Sequence, residues 1–189
     1  MIAIMSSSLL DRLIAGSTLN KSVPKGGHLF HRGDQVQFIF VVLEGCLNLV
    51  RIQNDGDMAV LQRATAGTIF AEASLFTDRY HCDGVASAAS KVAGVPVGDV
   101  RNLLNSQPGS AMAWSMHLSN ELQNSRKRSE IATLRTVSAR LDAWIAWNDD
   151  GRPAKGEWRQ VAAEIGVSPE ALYRELAKRR ARQHRKLEG

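Results

Sequence analysis

Gly109–Arg135 reads GSAMAWSMHLSNELQNSRKRSEIATLR, and after its first residue it holds neither glycine nor proline. That composition predicts one long helix. Ala111, Ser115, Leu118, Leu122, Ser125, Ser129 and Ala132 recur at alternating spacings of four and three, while Arg126, Lys127, Arg128 and Glu130 fall outside the series. A heptad seam of this kind calls for a partner helix. Such a helix is about 40 Å long, enough to run past one small domain and reach a second. It is therefore expected to pair two copies of the chain and to connect two different kinds of structure. A core helix packed within its own domain is the alternative, favoured by the small alanines and serines of the seam.

Upstream, from Gly26 to about Val97, short apolar runs are broken by turn residues: HLFHRGD, FIFVVLEG, CLNLVRI, AVLQRA, AGTIF and VASAASKVAGVPV. These are expected strands. Glycines 33, 45, 56, 67 and 84 punctuate them as in an antiparallel roll or barrel, and Asn54-Asp55-Gly56-Asp57 is a hairpin turn. Residues before Lys21, and those from Val97 to Gln107, are expected short helices.

Within this β domain, Gly67–Phe76 (GTIFAEASLF) leads into Thr77–Asp83 (TDRYHCD). A carboxylate after a strand, followed by an apolar turn and a polar strand start, can line the mouth of a β-roll. Tyr80-His81-Cys82-Asp83 sets imidazole, thiol and carboxylate side by side, the ingredients of a metal ligand set or an oxidant-sensitive thiolate. Strand alternation, however, puts His81 and Asp83 on one face and Cys82 on the other. Cys82 is then a sensing thiol or a small buried strand residue. Cys46 is expected in the core, and His28 and His31 at the surface on a strand and its turn. No metal site is assigned.

Downstream, Thr136 can cap a helix reaching Trp147 that buries Val137, Leu141, Trp144 and Ile145, with Leu134–Thr136 as a hinge. Asn148–Pro153 (NDDGRP) is an expected loop. Glu157–Arg174, EWRQVAAEIGVSPEALYR, is the most specific segment. Ala162 stands four residues before Gly166, so two helices can approach and the chain can turn between them. Val161, Ile165, Val167 and Leu172 supply a shared core, Ser168 is an N-cap, and Pro169 suits the first helical position. The pattern is a helix-turn-helix, with Glu175 at a position where an apolar residue is usual and Leu176 beside it to fill the gap.

Charge supports a nucleic-acid partner. The first 109 residues hold nine Lys/Arg and nine Asp/Glu, whereas residues 110–189 hold fifteen and ten. Seven of the fifteen lie from Arg174 onward: Arg174, Lys178, Arg179, Arg180, Arg182, Arg185 and Lys186. Positive charge gathered on a terminal helix points to a polyanion. Glu170, Arg174 and Lys178, spaced by four, share a face opposite Leu172 and Leu176. Arg174 could grip guanine, Glu170 could accept from cytosine, and Lys178 and the arginines behind it would meet phosphate. The expected DNA interface is Ser168, Pro169, Glu170, Tyr173, Arg174, Lys178, Arg179 and Arg182. Two cysteines exclude a disulfide framework and a four-cysteine iron–sulfur cluster. No stretch approaches a membrane span, the start lacks a basic n-region, and a cytoplasmic location is expected.

The order Gly33-Asp34, Glu44-Gly45, Gly67–Phe76 and the strand after it, continued through the long helix to the C-terminal helices, resembles the Crp/Fnr family of bacterial transcription regulators and their cyclic-nucleotide-binding fold. The resemblance implies an α+β chain. Its parts are an N-terminal antiparallel double-stranded β-helix (jelly-roll) sensor over 1–108, a dimerisation helix over 109–135, and an all-α helix-turn-helix domain over 136–189. It also implies double-stranded DNA, a second copy of the chain and RNA polymerase as partners. Members that bind cyclic AMP carry a Gly-Glu pair whose glutamate meets the ribose hydroxyl, then an Arg-Ser pair that holds the phosphate. This sequence keeps Glu72, but Ala71 precedes it and Cys82-Asp83 stands where Arg-Ser would. A carboxylate there repels a phosphate, so cyclic AMP is not the expected effector. The expected pocket comprises Glu72, Cys82, Asp83, Leu122 and Ser125. The effector, an unknown small molecule, metal or redox signal, is not identified, and neither is any cofactor. On the recognition helix Glu170 and Arg174 match the family pattern, while Pro169 stands where a first arginine would be. The family's β-hairpin wing looks absent after Ala181, with Arg182, Arg185 and Lys186 as substitutes for its backbone contacts. The rivals are a cupin-like metal-binding enzyme and a protein-binding regulatory β module whose DNA domain is non-functional.

Overall fold

The computed structural model describes residues 2–52, 58–148, 153 and 156–187, with the side chains of 9–52, 59–148, 153 and 156–183. The expected hairpin turn at 54–57, most of the expected loop after Asn148, and the side chains of Arg185 and Lys186 lie outside the described residues.

Helix α1 (Ile2–Ala15) precedes strands β1 (Leu19–Val23), β2 (His28–Phe30), β3 (Phe38–Glu44), β4 (Cys46–Ile52), β5 (Met58–Thr65) and β6 (Ile69–Phe70). A single 3-10 turn at Glu72–Ser74 leads on to β7 (Asp83–Ala86), β8 (Ser90–Pro96) and α2 (Val97–Ser106). The strands form two four-stranded antiparallel sheets, ordered β1-β8-β3-β6 and β2-β7-β4-β5. The helix expected before Lys21 is α1, which ends at Ala15, so Leu19 and Asn20 belong instead to β1; LNKSV pairs along its length with β8, from Leu19 opposite Gly94 to Val23 opposite Ser90. That ladder overrides a local pattern too short to declare itself.

Two apolar layers explain the reading of the strands. Phe30, Phe40, Val42, Leu47, Leu49, Phe70 and Cys82 pack between the sheets. The alternate residues of the first sheet, Ile39, Val41, Ile69 and Val95, face Leu9 and Leu13 of α1, Val100 of α2, and Trp114. With both faces covered, β3 is a continuous apolar run, FIFVV, instead of an alternating one. Gly84 on β7 is required by this packing. A Cβ there would lie 2.8 Å from Phe30 Cζ, and the Phe30 ring is in turn stacked on Tyr80 with centroids 3.8 Å apart.

Helix α3 spans Ser110–Thr133 without interruption. It is followed by α4 (Val137–Trp147), α5 (Trp158–Glu164) and α6 (Pro169–Leu187). The chain divides into two compact units, Met1–Gln123 and Asn124–Gly189, so the division falls inside α3. In the second unit Ile131, Leu141, Trp144, Val161, Ala162, Ile165 and Leu172 form the core. Thr136 Oγ1 accepts from Ala139 N at 3.1 Å and caps α4, and Ser168 Oγ accepts from Ala171 N at 3.2 Å and caps α6. Gly166 takes φ +64° between α5 and α6, a left-handed turn that favours glycine. Arg140 locks that turn, its Nη1 donating to the carbonyls of Ile165 at 3.1 Å and Gly166 at 2.7 Å. No helix of the described residues is long and apolar enough to cross a membrane.

Candidate functional site

The turn between β6 and β7 is aimed by one unusual residue. Ala71 sits at φ 66°, ψ 23°, left-handed backbone that costs a non-glycine residue about 1 kcal/mol or more. It turns Glu72 into the roll, where the side chain is buried. There Gln62 Nε2 on β5 lies 3.3 Å from both Glu72 carboxylate oxygens and 3.1 Å from Glu121 Oε2 on α3. One amide thus bridges two carboxylates, one from the roll and one from the helix. Gln62 Oε1 is buried and meets no hydrogen-bond donor among the described residues. The opposite amide orientation would set that oxygen against two anions.

One turn before Glu121, His117 lies beside Trp114, ring centroids 6.2 Å apart. Its imidazole is held below the usual histidine range because burial disfavours the charged form, partly offset by Glu121. Gln62, His117 and Glu121 were not anticipated from the sequence. The signal was present in AVLQRA, where Leu61 is exposed and Gln62 buried, the reverse of an ordinary half-buried strand.

The five residues expected in the pocket separate. Cys82 points inward and is 2% exposed. Burial pushes its thiol up to about 11; Arg51 pulls it down, and Asp83 and Glu72 push it further up. A thiol so placed is neutral at physiological pH and a poor nucleophile. Asp83 turns to the other face, as alternation requires, and its Oδ1 accepts from Arg32 N at 3.2 Å and lies 3.3 Å from His31 Nδ1. Leu122 is 52% exposed and Ser125 is exposed. Of the five, the hydrogen-bonded group around Gln62 includes Glu72 alone, and the α3 residue it includes is Glu121.

On α6, Ser168, Glu170, Tyr173, Arg174, Lys178 and Arg182 are exposed, and Pro169 partly so. Leu172 is fully buried on the opposite side and Leu176 packs against the same core. Arg179 differs from its neighbours. Its Nη1 bonds Asp142 Oδ1 at 2.6 Å, its Nε bonds Glu175 Oε1 at 3.0 Å, and its Nη2 bonds Ser138. Placed among the DNA contacts by sequence, Arg179 is a tie between α6 and α4. It also explains Glu175, whose carboxylate fills the expected apolar position by pairing with Arg179.

Residues 20–107, which span the two sheets and α2, match the family model of the cyclic nucleotide-binding domain. The cAMP-activated global transcriptional regulator CRP of Pasteurella multocida is 25% identical over 165 residues, 81% of this chain and 78% of that protein. Among solved structures, the c-di-GMP-responsive global regulator CLP of Xanthomonas campestris superimposes with a TM-score of 0.73 at 20% identity, over 94% of this chain and 93% of that one. FixK2 of Bradyrhizobium japonicum gives 0.74 at 14% identity, over 87% and 85%. The chain is a homologue of CRP with the fold of the Crp/Fnr regulators. Its relatives are transcriptional regulators and not enzymes, which removes the support for a cupin-like enzyme.

Proposed function

We propose that this chain is a homodimeric, sequence-specific DNA-binding transcription regulator whose effector is not cyclic AMP. The observation that carries the reading is the α6 face on which Glu170, Tyr173, Arg174, Lys178 and Arg182 stand exposed while Leu172 anchors the helix from behind. Helices α5 and α6, with the Gly166 turn and the Ser168 cap, act as a helix-turn-helix. Arg174 and Glu170 meet base edges; Lys178 and Arg182 meet phosphates. Residues 1–108 serve as the sensor, 109–135 as the dimer helix and 136–189 as the DNA reader.

Dimerisation is supported by the α3 seam. All seven heptad positions from Ala111 to Ala132 are exposed in the single chain, Leu118 at 38% and Leu122 at 52%. Two copies joined there would present their α6 helices to half-sites about 34 Å apart. Cys82 sets the chemistry of the effector pocket. The inward position where the relatives' arginine would grip a phosphate offers a neutral thiol, and the nearby polar group is a glutamine shared by two carboxylates. Such a pocket suits a ligand rich in hydrogen-bond donors better than a cyclic phosphate.

Selection of bound duplexes from a random pool, followed by gel shift, tests the reading. A two-fold symmetric consensus, bound by a dimer and unaffected by cyclic AMP, is the expected result. A monomer with no sequence preference would overturn it.

A further inference from the structure

Across 52 residues of sequence, the fold sets Asp83 beside the two histidines of β2 and its turn. One donor atom each from His28, His31 and Asp83 lies within 4.8 Å of the other two. We propose that these residues form a site for a divalent transition-metal ion of borderline softness, with zinc as the reference ion.

Two imidazoles and a carboxylate make a mixed nitrogen and oxygen set suited to zinc, cobalt or nickel and poorly suited to calcium or magnesium. Metal–ligand distances near 2.0–2.2 Å put two donors on a tetrahedral ion ~3.3 Å apart. His31 Nδ1 and Asp83 Oδ1 are already 3.3 Å apart. The His28 ring stacks on that of His31, centroids 4.3 Å apart and planes 25° from parallel, so a small side-chain rotation brings the third donor in.

The backbone holds these donors in place. His31 N donates to Asp34 Oδ2 at 2.8 Å. Gly33 N bonds the Tyr80 carbonyl at 2.8 Å and Tyr80 N bonds the Asp34 carbonyl at 3.0 Å, while Arg79 Nη1 reaches the Gly33 carbonyl at 2.7 Å. The turn carrying His31 is therefore clamped to the chain that leads into Asp83, and β2 is paired with β7. Arg32 N holds the same Asp83 oxygen that would ligate the metal, the supporting bond that orients a carboxylate ligand. Both histidines are exposed and Asp83 partly so, which leaves coordination positions open to solvent. The site is thus an exchangeable one, at the start of β7 and one residue after Cys82, which is buried in the core. An ion there would fasten β2 to the first residue of β7 and stiffen the strand that borders the pocket.

The test uses the full chain alone and needs no DNA, so it stands or falls apart from the regulator reading. Zn2+ is titrated by calorimetry and Co2+ by visible absorption. The expected result is one equivalent per chain, with cobalt bands free of thiolate charge transfer. His28→Ala and Asp83→Asn should each weaken Zn2+ binding by about 100-fold, the upper end of what loss of a supporting residue costs, and Cys82→Ser should leave it unchanged. Asp83→Asn retains an acceptor for Arg32 N; should it still disturb β7, His31→Ala at an exposed position replaces it. No binding by the wild-type chain, undiminished binding in the ligand variants, or loss of binding in Cys82→Ser would overturn the proposal.

Discussion

Arg179 Nη1 on α6 lies 2.6 Å from Asp142 Oδ1 on α4. That bond, with the Glu175 bond one turn earlier, takes an arginine out of the basic face and makes it part of the frame. Arg179→Ala should therefore lower the stability of the second unit by about 2 kcal/mol in urea unfolding, because it removes charge-assisted bonds to Asp142 and Glu175 and leaves Glu175 with Ser138 as its remaining side-chain donor. Arg174→Ala should leave stability unchanged while costing about 1–3 kcal/mol of DNA affinity and relaxing one base preference. If the two variants behave alike in both measurements, the division of roles is wrong.

The Glu175 pair also sets an acid limb. Burial pushes this carboxyl up, but hydrogen bonds from Arg179 and Ser138 and the charges of Arg179 and Lys178 outweigh it and hold it below the usual range. A carboxyl lowered in the folded state stabilises above its unfolded pKa, and that contribution disappears as pH falls through the folded value. Stability of the wild type should thus drop more steeply below pH ~4.3 than that of Glu175→Gln. Equal slopes in pH-dependent unfolding would count against it.

Cys82 sets the opposite limb. Its thiol is raised to about 11, so the folded chain holds the proton more tightly than the unfolded chain. The associated stability is complete below the unfolded value of ~8.5 and lost as pH climbs through 11. Cys82→Ala should flatten unfolding stability across that alkaline window. In the native wild type, alkylation of Cys82 at neutral pH should be at least 100-fold slower than in the denatured chain, read by mass spectrometry.

Ala71 carries left-handed backbone with no side-chain cap bond to compensate. Ala71→Gly should relieve strain of about 1 kcal/mol, partly offset by the freer unfolded chain, for a net gain near 0.5 kcal/mol. A loss of stability in thermal or urea unfolding would show that the Ala71 methyl, 2% exposed, earns more in packing than its backbone costs.

The seam on α3 can be broken without touching either core. Leu118→Glu with Leu122→Glu should weaken self-association by about 100-fold or more, read by sedimentation, since each puts a charge where apolar side chains would meet in the proposed dimer. Both leucines are exposed in the single chain, so unfolding of the first unit should not change.

Local chemistry was sufficient for much of this protein. The absence of breakers from Ala111 to Arg135 marked α3, Thr136 and Ser168 marked helix starts, and glycine-punctuated apolar runs marked most of the roll, because caps, turns and periodicity act over a few residues. Alternation alone separated Cys82 from Asp83 and His81. Tertiary structure decided the rest: that LNKSV is a strand, that Arg179 is a tie, that Gln62 and Glu121 converge on Glu72, and that Asp83 reaches His28 and His31. Apart from the Gln62–Glu72 bond, which spans 10 positions, each of these depends on groups brought together from 37 to 59 positions apart or on a ladder with a distant strand. The free energy of such contacts comes from chain closure and burial, which no short window of sequence contains.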